Sequence, residues 1–175
     1  MKRHEHAVRS FETHEAMITA LDQRLSGLDR MSIRAQREDL SAFVSALRHS
    51  SPAVAGLALV QSPAQILLSS QAGTVDTKPL SDPQAIKALR DQNRRIAVSK
   101  ASEADAQGAS QFFLARRIQL RGQEEGLILS TFETSFFESF YDPLRRDAGD
   151  LIALVREDGT VLARTHPGVE TQEEE

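Results

Sequence analysis

Apolar positions recur at three- and four-residue intervals from Phe11 through Ile18, Leu21, Leu25 and Leu28, with the polar His14 in phase among them. That spacing predicts a helix with a heptad-like seam along one side. Gly27 weakens its end, and residues 27–31 read as a break. Ser32 then stands where an N-cap is wanted, ahead of Ile33, Leu40, Phe43, Val44 and Leu47 on one side of a second helix. Two helices are therefore expected to fill the first 50 residues. After Ser50 the period changes. AVAGLALV and ILLSS, separated by residues 61–65, predict a β-hairpin. The SDPQAIKALRDQ segment places Asp82 as an N-cap and Pro83 at the first helical position.

RIAVSKA predicts a strand, ASEADAQGAS a polar loop, and FFLARRIQL with GLILSTF an antiparallel pair. TSFFESFYDPL reads as a short helix with Phe136, Phe137, Phe140 and Tyr141 on a contiguous side and Pro143 near its end. The last pattern, DLIALVREDGTVLARTH, is two strands around Asp158-Gly159, a type I′ turn signal. The acidic tail VETQEEE is expected to fray. The order α, α, β, β, α, β, β, β, α, β, β predicts an α+β fold with an antiparallel, PAS-like sheet flanked by helices.

Composition narrows the function classes. The chain has 175 residues, enough for one domain with a substantial core. A net charge of −4 argues against a nucleic-acid partner, and aromatics at 5%, with no Trp and Tyr141 alone among tyrosines, argue against a base-stacking platform. The absence of cysteine removes disulfides, thiolate metal sites and cysteine nucleophiles. The uncharged stretch 50–75 is interrupted by Pro52, Gln61, Pro63 and Gln65, so it reads as short strands and not as a membrane span. The charged start lacks the apolar core of a signal peptide, and the chain is expected to be soluble.

Catalytic signals are missing. No G-x-S-x-G elbow, H-E-x-x-H pair or phosphate-cradling glycine loop occurs, and His4 and His6 do not share a helix face. Neither enzyme activity, nor a cofactor, nor a metal is expected. What stands out is Arg116 in FFLARRIQL. In a strand it shares a face with Phe112, Leu114, Ile118 and Leu120, while Arg117 shares the other with Phe113, Ala115 and Gln119. An unpaired buried guanidinium costs several kcal/mol, roughly, so an acceptor is required. Three readings follow: a register that turns Arg117 inward instead, an internal carboxylate such as Asp82, or an anionic ligand held bidentately.

ETHEAMITALDQRL, SPAVAGLALVQSPAQILLSS, the Ser81-Asp82 helix start, FFLARRI, GLILSTFETSFFESFY and LIALVREDGTVLAR, in this order, resemble the double-Cache, PAS-like extracytoplasmic sensor domains of bacterial sensor histidine kinases and diguanylate cyclases. The most specific pieces are the Arg-Arg strand, the S-x-F-x-x-F-Y helix and the DG-x-V-L-A-R hairpin, and the resemblance spans about residues 10–166. It implies a helical stalk over 1–50, a membrane-distal ligand-binding module over 51–149, and over 150–175 a hairpin that either packs on the first module or begins a truncated or vestigial membrane-proximal module. It further implies a periplasmic location in a membrane-anchored parent with transmembrane helices on both sides. Many relatives carry Asp-Arg-x-Tyr-Phe where this chain has Asp82-Pro83-Gln84-Ala85-Ile86; the Asp is matched, the Arg and aromatics are not.

The expected function is thus signal sensing, with a small molecule, an organic anion by class, entering between the sheet and loops 71–82 and 102–109. Arg116 is the expected anion-binding residue, with Asp82 and Ser99 as further pocket residues. The N-terminal helix would carry the signal, and its seam would serve either a parallel homodimer or packing on the chain's own sheet. The alternative is a cytoplasmic PAS-type dimerisation module without a ligand.

Overall fold

The computed structural model describes residues 2–62, 65–70, 81–91, 96–104, 106–122 and 124–165, with side chains from residue 13 onward. Helix α1 spans Lys2–Leu25, α2 Arg30–Ala35 and α3 Arg37–His49; strands β1 (Val54–Ser62) and β2 (Gln65–Ser69) follow. Then come α4 (Pro83–Arg90), β3 (Ile96–Val98), β4 (Gln111–Gln119), β5 (Glu125–Glu133), α5 (Thr134–Tyr141), a 3₁₀ turn at Asp142–Leu144, and strands β6 (Ala153–Val155) and β7 (Val161–Arg164). Five strands form one antiparallel sheet in the order β2-β1-β5-β4-β3, and β6-β7 form a separate two-stranded ribbon. The predicted α+β class, the antiparallel sheet and the sequence of strands and later helices are all present.

The first third differs in one respect. The second helix is two helices, meeting at Gln36, and its N-cap is Asp29: the Asp29 carboxylate accepts the Ser32 N–H at 2.7 Å. Ser32 is therefore the residue being capped, not the cap. A carboxylate three residues earlier outcompetes a hydroxyl because it is a charged acceptor next to the positive end of the helix. The closing hairpin also departs from a type I′ loop. Gly159 N–H donates to Arg156 O at 2.9 Å, Arg156 N–H donates to Thr160 O at 2.9 Å, and Gly159 has φ +86°. The loop is three residues long, with the left-handed position at its end filled by the residue that has no Cβ to strain.

The α1 seam is spent on this chain's own sheet. Met17, Ile18, Leu21 and Leu25 of α1 join Ile33, Leu40 and Val44 of α2 and α3 in one core with Leu57, Leu59, Phe112, Ile118, Ile128 and Phe132 of the sheet. Phe137 of α5 and Leu162 and Ala163 of β7 belong to the same core. The opposite sheet face carries a smaller cluster, Ala58, Val60, Ala115 and Leu129, against which Ile66, Leu127 and Leu89 of α4 pack. Each sheet face thus has its own helical cover, α1–α3 on one and α4 on the other.

Leu21 is fully buried, so Leu21→Ala removes buried methyl groups and leaves a cavity. Urea denaturation should show a loss of about 3 kcal/mol that does not change with protein concentration. Met31→Ser, at a position 81% exposed, should stay within about 0.5 kcal/mol of the parent.

Candidate functional site

Asp82 and Arg156, 74 residues apart, form the polar centre of the molecule. Asp82 is the N-cap of α4, with extended backbone and Pro83 at the first helical position, as the sequence pattern predicts. Its Oδ1 accepts the Gln84 N–H at 3.1 Å; its Oδ2 accepts the Lys100 N–H at 2.9 Å and Arg156 Nη1 at 2.5 Å. Arg156 Nη1 also donates to Val98 O at 2.8 Å, while Nε and Nη2 hold Asp158 at 2.9 and 2.6 Å. One guanidinium therefore ties the β6-β7 turn to the start of α4 and the end of β3.

Burial alone pushes the Asp82 carboxyl up, but the hydrogen bonds from Arg156, Lys100 and Gln84 and the Arg156 charge together hold it below the ordinary carboxylate value. The Asp158 carboxyl is held well below that range, chiefly by the Arg156 hydrogen bond and then by Thr160. Arg156 is correspondingly raised, first by Asp158, against the opposing effect of burial, and then by Asp82.

Ser99 lies beside this centre. Its Oγ accepts the Phe113 N–H at 2.9 Å and donates to Lys100 O at 2.9 Å, which fixes the end of β3 against β4. Asp82 and Ser99 are thus neighbours in the fold, as bonding partners of the chain itself. Arg156 was not singled out in the sequence, where a charged residue next to an Asp-Gly turn reads as solvated. The one available signal was Asp82, a buried-side N-cap carboxylate with an oxygen left over.

The adjacent arginines of β4 go to opposite faces. Arg116 shares the α1 face, but its partner is not Asp82: Nη1 donates to Glu15 at 3.1 Å and Nη2 lies 3.8 Å from Asp22, both on α1. Those carboxylates are seven residues apart, two helical turns, so they present to the same side. The Arg116 side chain is 15% exposed while Glu15 is 60% exposed, so the stem is covered and the charge meets its partners near the edge. The same face holds His14, whose Nε2 lies 3.0 Å from Ser130 Oγ. Burial lowers the His14 pKa, Glu15 opposes that, and Arg116 adds to it.

Arg117 enters a cleft of about 450 Å³ on the α4 side of the sheet. Its charged and polar lining includes Arg117, Arg90, Glu125, Gln61 and Ser81; Ile86, Leu89 and Leu127 form an apolar floor. Among the described residues neither Arg90 nor Arg117 has a hydrogen-bond or ion-pair partner. A larger cleft of about 800 Å³ opens on the α1 side between α4, α5 and the β6-β7 turn. Arg116, Asp82 and Ser99 line neither of these two clefts. Of the loops expected to border a ligand, residues 71–80 lie outside the described residues, Ser81 lines the smaller cleft, and the described residues of 102–109 line neither. Among the described residues no group of His, Asp or Glu side chains could hold a metal ion, and no helix is long and apolar enough to cross a membrane.

Comparison with protein-family profiles finds no match, and no curated protein matches by sequence. Solved structures do match in fold. The extracellular domain of the histidine kinase candidate rpHK1S-Z16 aligns with 91% of this chain at 17% identity and a TM-score of 0.61. The ligand-binding domain of the Campylobacter jejuni chemoreceptor Tlp3, in complex with 4-methylisoleucine, aligns with 94% at 16% identity and 0.61. That of the Pseudomonas aeruginosa PAO1 amino acid chemoreceptor PctC, in complex with GABA, aligns with 91% at 15% identity and 0.61. This chain spans 64% of the first and 68% of the other two. The PAS-like α+β architecture is therefore one that extracellular sensor domains share.

Removing Arg156 would leave the buried Asp82 carboxylate without its cation. Urea denaturation should place Arg156→Met roughly 3 kcal/mol below the parent at pH 7. Both carboxyls have folded pKa values below their unfolded ones, so this stabilisation is complete above about pH 5 and is lost as pH falls through the folded values. The gap should shrink at pH 3; an undiminished gap there would assign the effect to packing of the Arg156 stem.

Proposed function

We propose that this chain is the ligand-binding sensor domain of a membrane-anchored bacterial receptor, of the double-Cache type, acting at the periplasmic face and without enzymatic activity. Residues 51–149 are the ligand-binding module and the helices of 1–50 its route to the membrane, and the β6-β7 hairpin packs on that module's core. The ligand is an amino-acid-like zwitterion held in the cleft between α4 and the sheet.

The observation that carries this reading is the placement of Arg117, half-buried and unpaired among the described residues, in a cleft that also offers a carboxylate. A guanidinium recognises a carboxylate through two parallel N–H···O bonds. Glu125 supplies the charge that an ammonium group requires, and Ile86, Leu89 and Leu127 offer an apolar surface to a side chain. The anion-recognising role expected of Arg116 passes in this reading to its neighbour, with Arg90 as a second cation. The ligands named for two structural neighbours, 4-methylisoleucine and GABA, carry a carboxylate and an ammonium together.

Signal transfer follows from β4. Arg117 meets the ligand, and the next residue back, Arg116, holds Glu15 and Asp22 of α1. A ligand that favours one position of β4 therefore biases the helix across the sheet, to the extent that it binds that position more tightly.

A thermal-shift screen with L-valine, L-isoleucine, GABA and the amine-free propionate tests the assignment. At saturating concentration at least one amino acid should raise the melting temperature by about 5 °C in the parent and in Arg116→Ala, but not in Arg117→Ala. A response lost in Arg116→Ala and kept in Arg117→Ala would return the ligand to the α1 face.

A further inference from the structure

Among the described side chains of α1, His14 is the one titratable group that is buried. The positions sharing its helical face, three, four and seven residues to either side, are Ala7, Ser10, Phe11, Met17, Ile18 and Leu21, none of them charged. Opposite it, β5 presents the fully buried Ser130 and the ring of Phe132, whose centroid lies 5.2 Å from that of the imidazole. Nε2 lies 3.0 Å from Ser130 Oγ. The imidazole also lines the larger, aromatic cleft, with Phe112, Phe136 and Phe137.

A leucine or phenylalanine would fill such a position with no dependence on protons. A neutral imidazole suits it, because one hydrogen bond and apolar contacts are enough. An imidazolium does not: both ring nitrogens become donors, and the charge must leave water. Burial is the largest influence on the ring and lowers its pKa below 6.5. Of the neighbouring charges, Glu15 of α1 favours the charged ring and Arg116 of β4 opposes it, and these two are already paired with each other at 3.1 Å. Ser130 and Phe132 bring no charge from β5. Around the cleft that His14 lines, α4 carries Lys87 and Asp91, α5 carries Tyr141, and the β6-β7 turn carries Arg156, Glu157 and Asp158.

We infer that His14 is a proton-sensitive latch: neutral, it holds the first half of α1 on β5, and once protonated it lets that stretch lift from the sheet. The folded group binds its proton less readily than the unfolded one. The contact is therefore at full strength above about pH 6.5 and weakens as pH falls toward the folded value. Opening is confined to the start of the helix, because Leu21 and Leu25 further along are fully buried. The latch acts on α1 directly and does not depend on a ligand in the α4 cleft.

Amide hydrogen exchange of the full chain, read by NMR at pH 7.5 and pH 5.0 and corrected for intrinsic rates, tests this. Amides of residues 14–20 should lose protection by at least about threefold at the lower pH, while those of β4 and β5 keep theirs. Asp82 and Asp158, held below the ordinary carboxylate value, stay ionised over this range, so the Arg156 clamp does not contribute. The loss should vanish in His14→Phe, which suits the aromatic surroundings, and in His14→Gln, which keeps a partner for Ser130; either variant suffices. The His14 ring protons, assigned by their absence from a variant's spectrum, should titrate below pH 6.5. The proposal is overturned if α1 is equally protected at both pH values, if the variants lose as much protection as the parent, or if His14 titrates at or above pH 6.5. It is overturned as well if β4 and β5 lose protection in step with α1, which would assign the effect to the whole fold.

Discussion

A β-strand must send successive side chains to opposite faces, and in β4 that constraint falls on two adjacent arginines. Neither guanidinium can share the other's environment, and neither can be buried without an acceptor. Arg116 is drawn under α1, where Glu15 and Asp22 meet it; Arg117 is sent to the α4 side, where no described residue pairs with it. The sheet thus separates a cation that pairs with α1 from one that pairs with no described residue. The two helical covers follow the same division, since α1–α3 pack on the Arg116 face and Leu89 of α4 packs on the Arg117 face.

Arg156 performs the corresponding service at the other end of the sheet. The β6-β7 ribbon has only two strands, too few to be stable alone, and its Val155 and Val161 are exposed. It is held from below by Leu162 in the core and from the side by the Asp82 carboxylate. The isolated ion pairs of Arg116 cost little to break because Glu15 is mostly solvated, but Asp82 is buried and its pair is structural in the stronger sense. Residues of that turn line the aromatic cleft, and the Asp82 clamp holds one of them, Arg156, in place.

Much of the architecture was legible because it depends on local periodicity. The hairpins, the Asp82 cap and the α5 helix are each written in a stretch of ten to twenty residues. The heptad-like run was equally clear, yet a seam of that kind serves a partner helix or a sheet equally well, and only the folded chain shows that Ile18, Leu21 and Leu25 face the sheet. The start of the second helix was misplaced because Asp29 and Ser32 are both good caps, and the charged acceptor is the one used.

The site was harder to read, for a physical reason. Arg116 was recognised as needing an acceptor, but the acceptor lay about a hundred residues away, on a helix whose charged side looked solvated. Arg117, in phase with Ala115 and Gln119, looked like surface, and its cleft exists only once α4 crosses that face. Spacing along a chain specifies faces; it does not specify which distant element covers them.

The proposed division of labour between the two arginines has a direct test. Side-chain Nε–H signals of arginine in a nitrogen-15 spectrum, assigned through Arg116→Lys and Arg117→Lys, should be followed during titration with L-isoleucine. The Arg117 signal should shift saturably with the backbone amides of α4, and Arg116 should respond less, together with Glu15 and Asp22 on α1. A perturbation centred on Arg116 with Arg117 unmoved would contradict it.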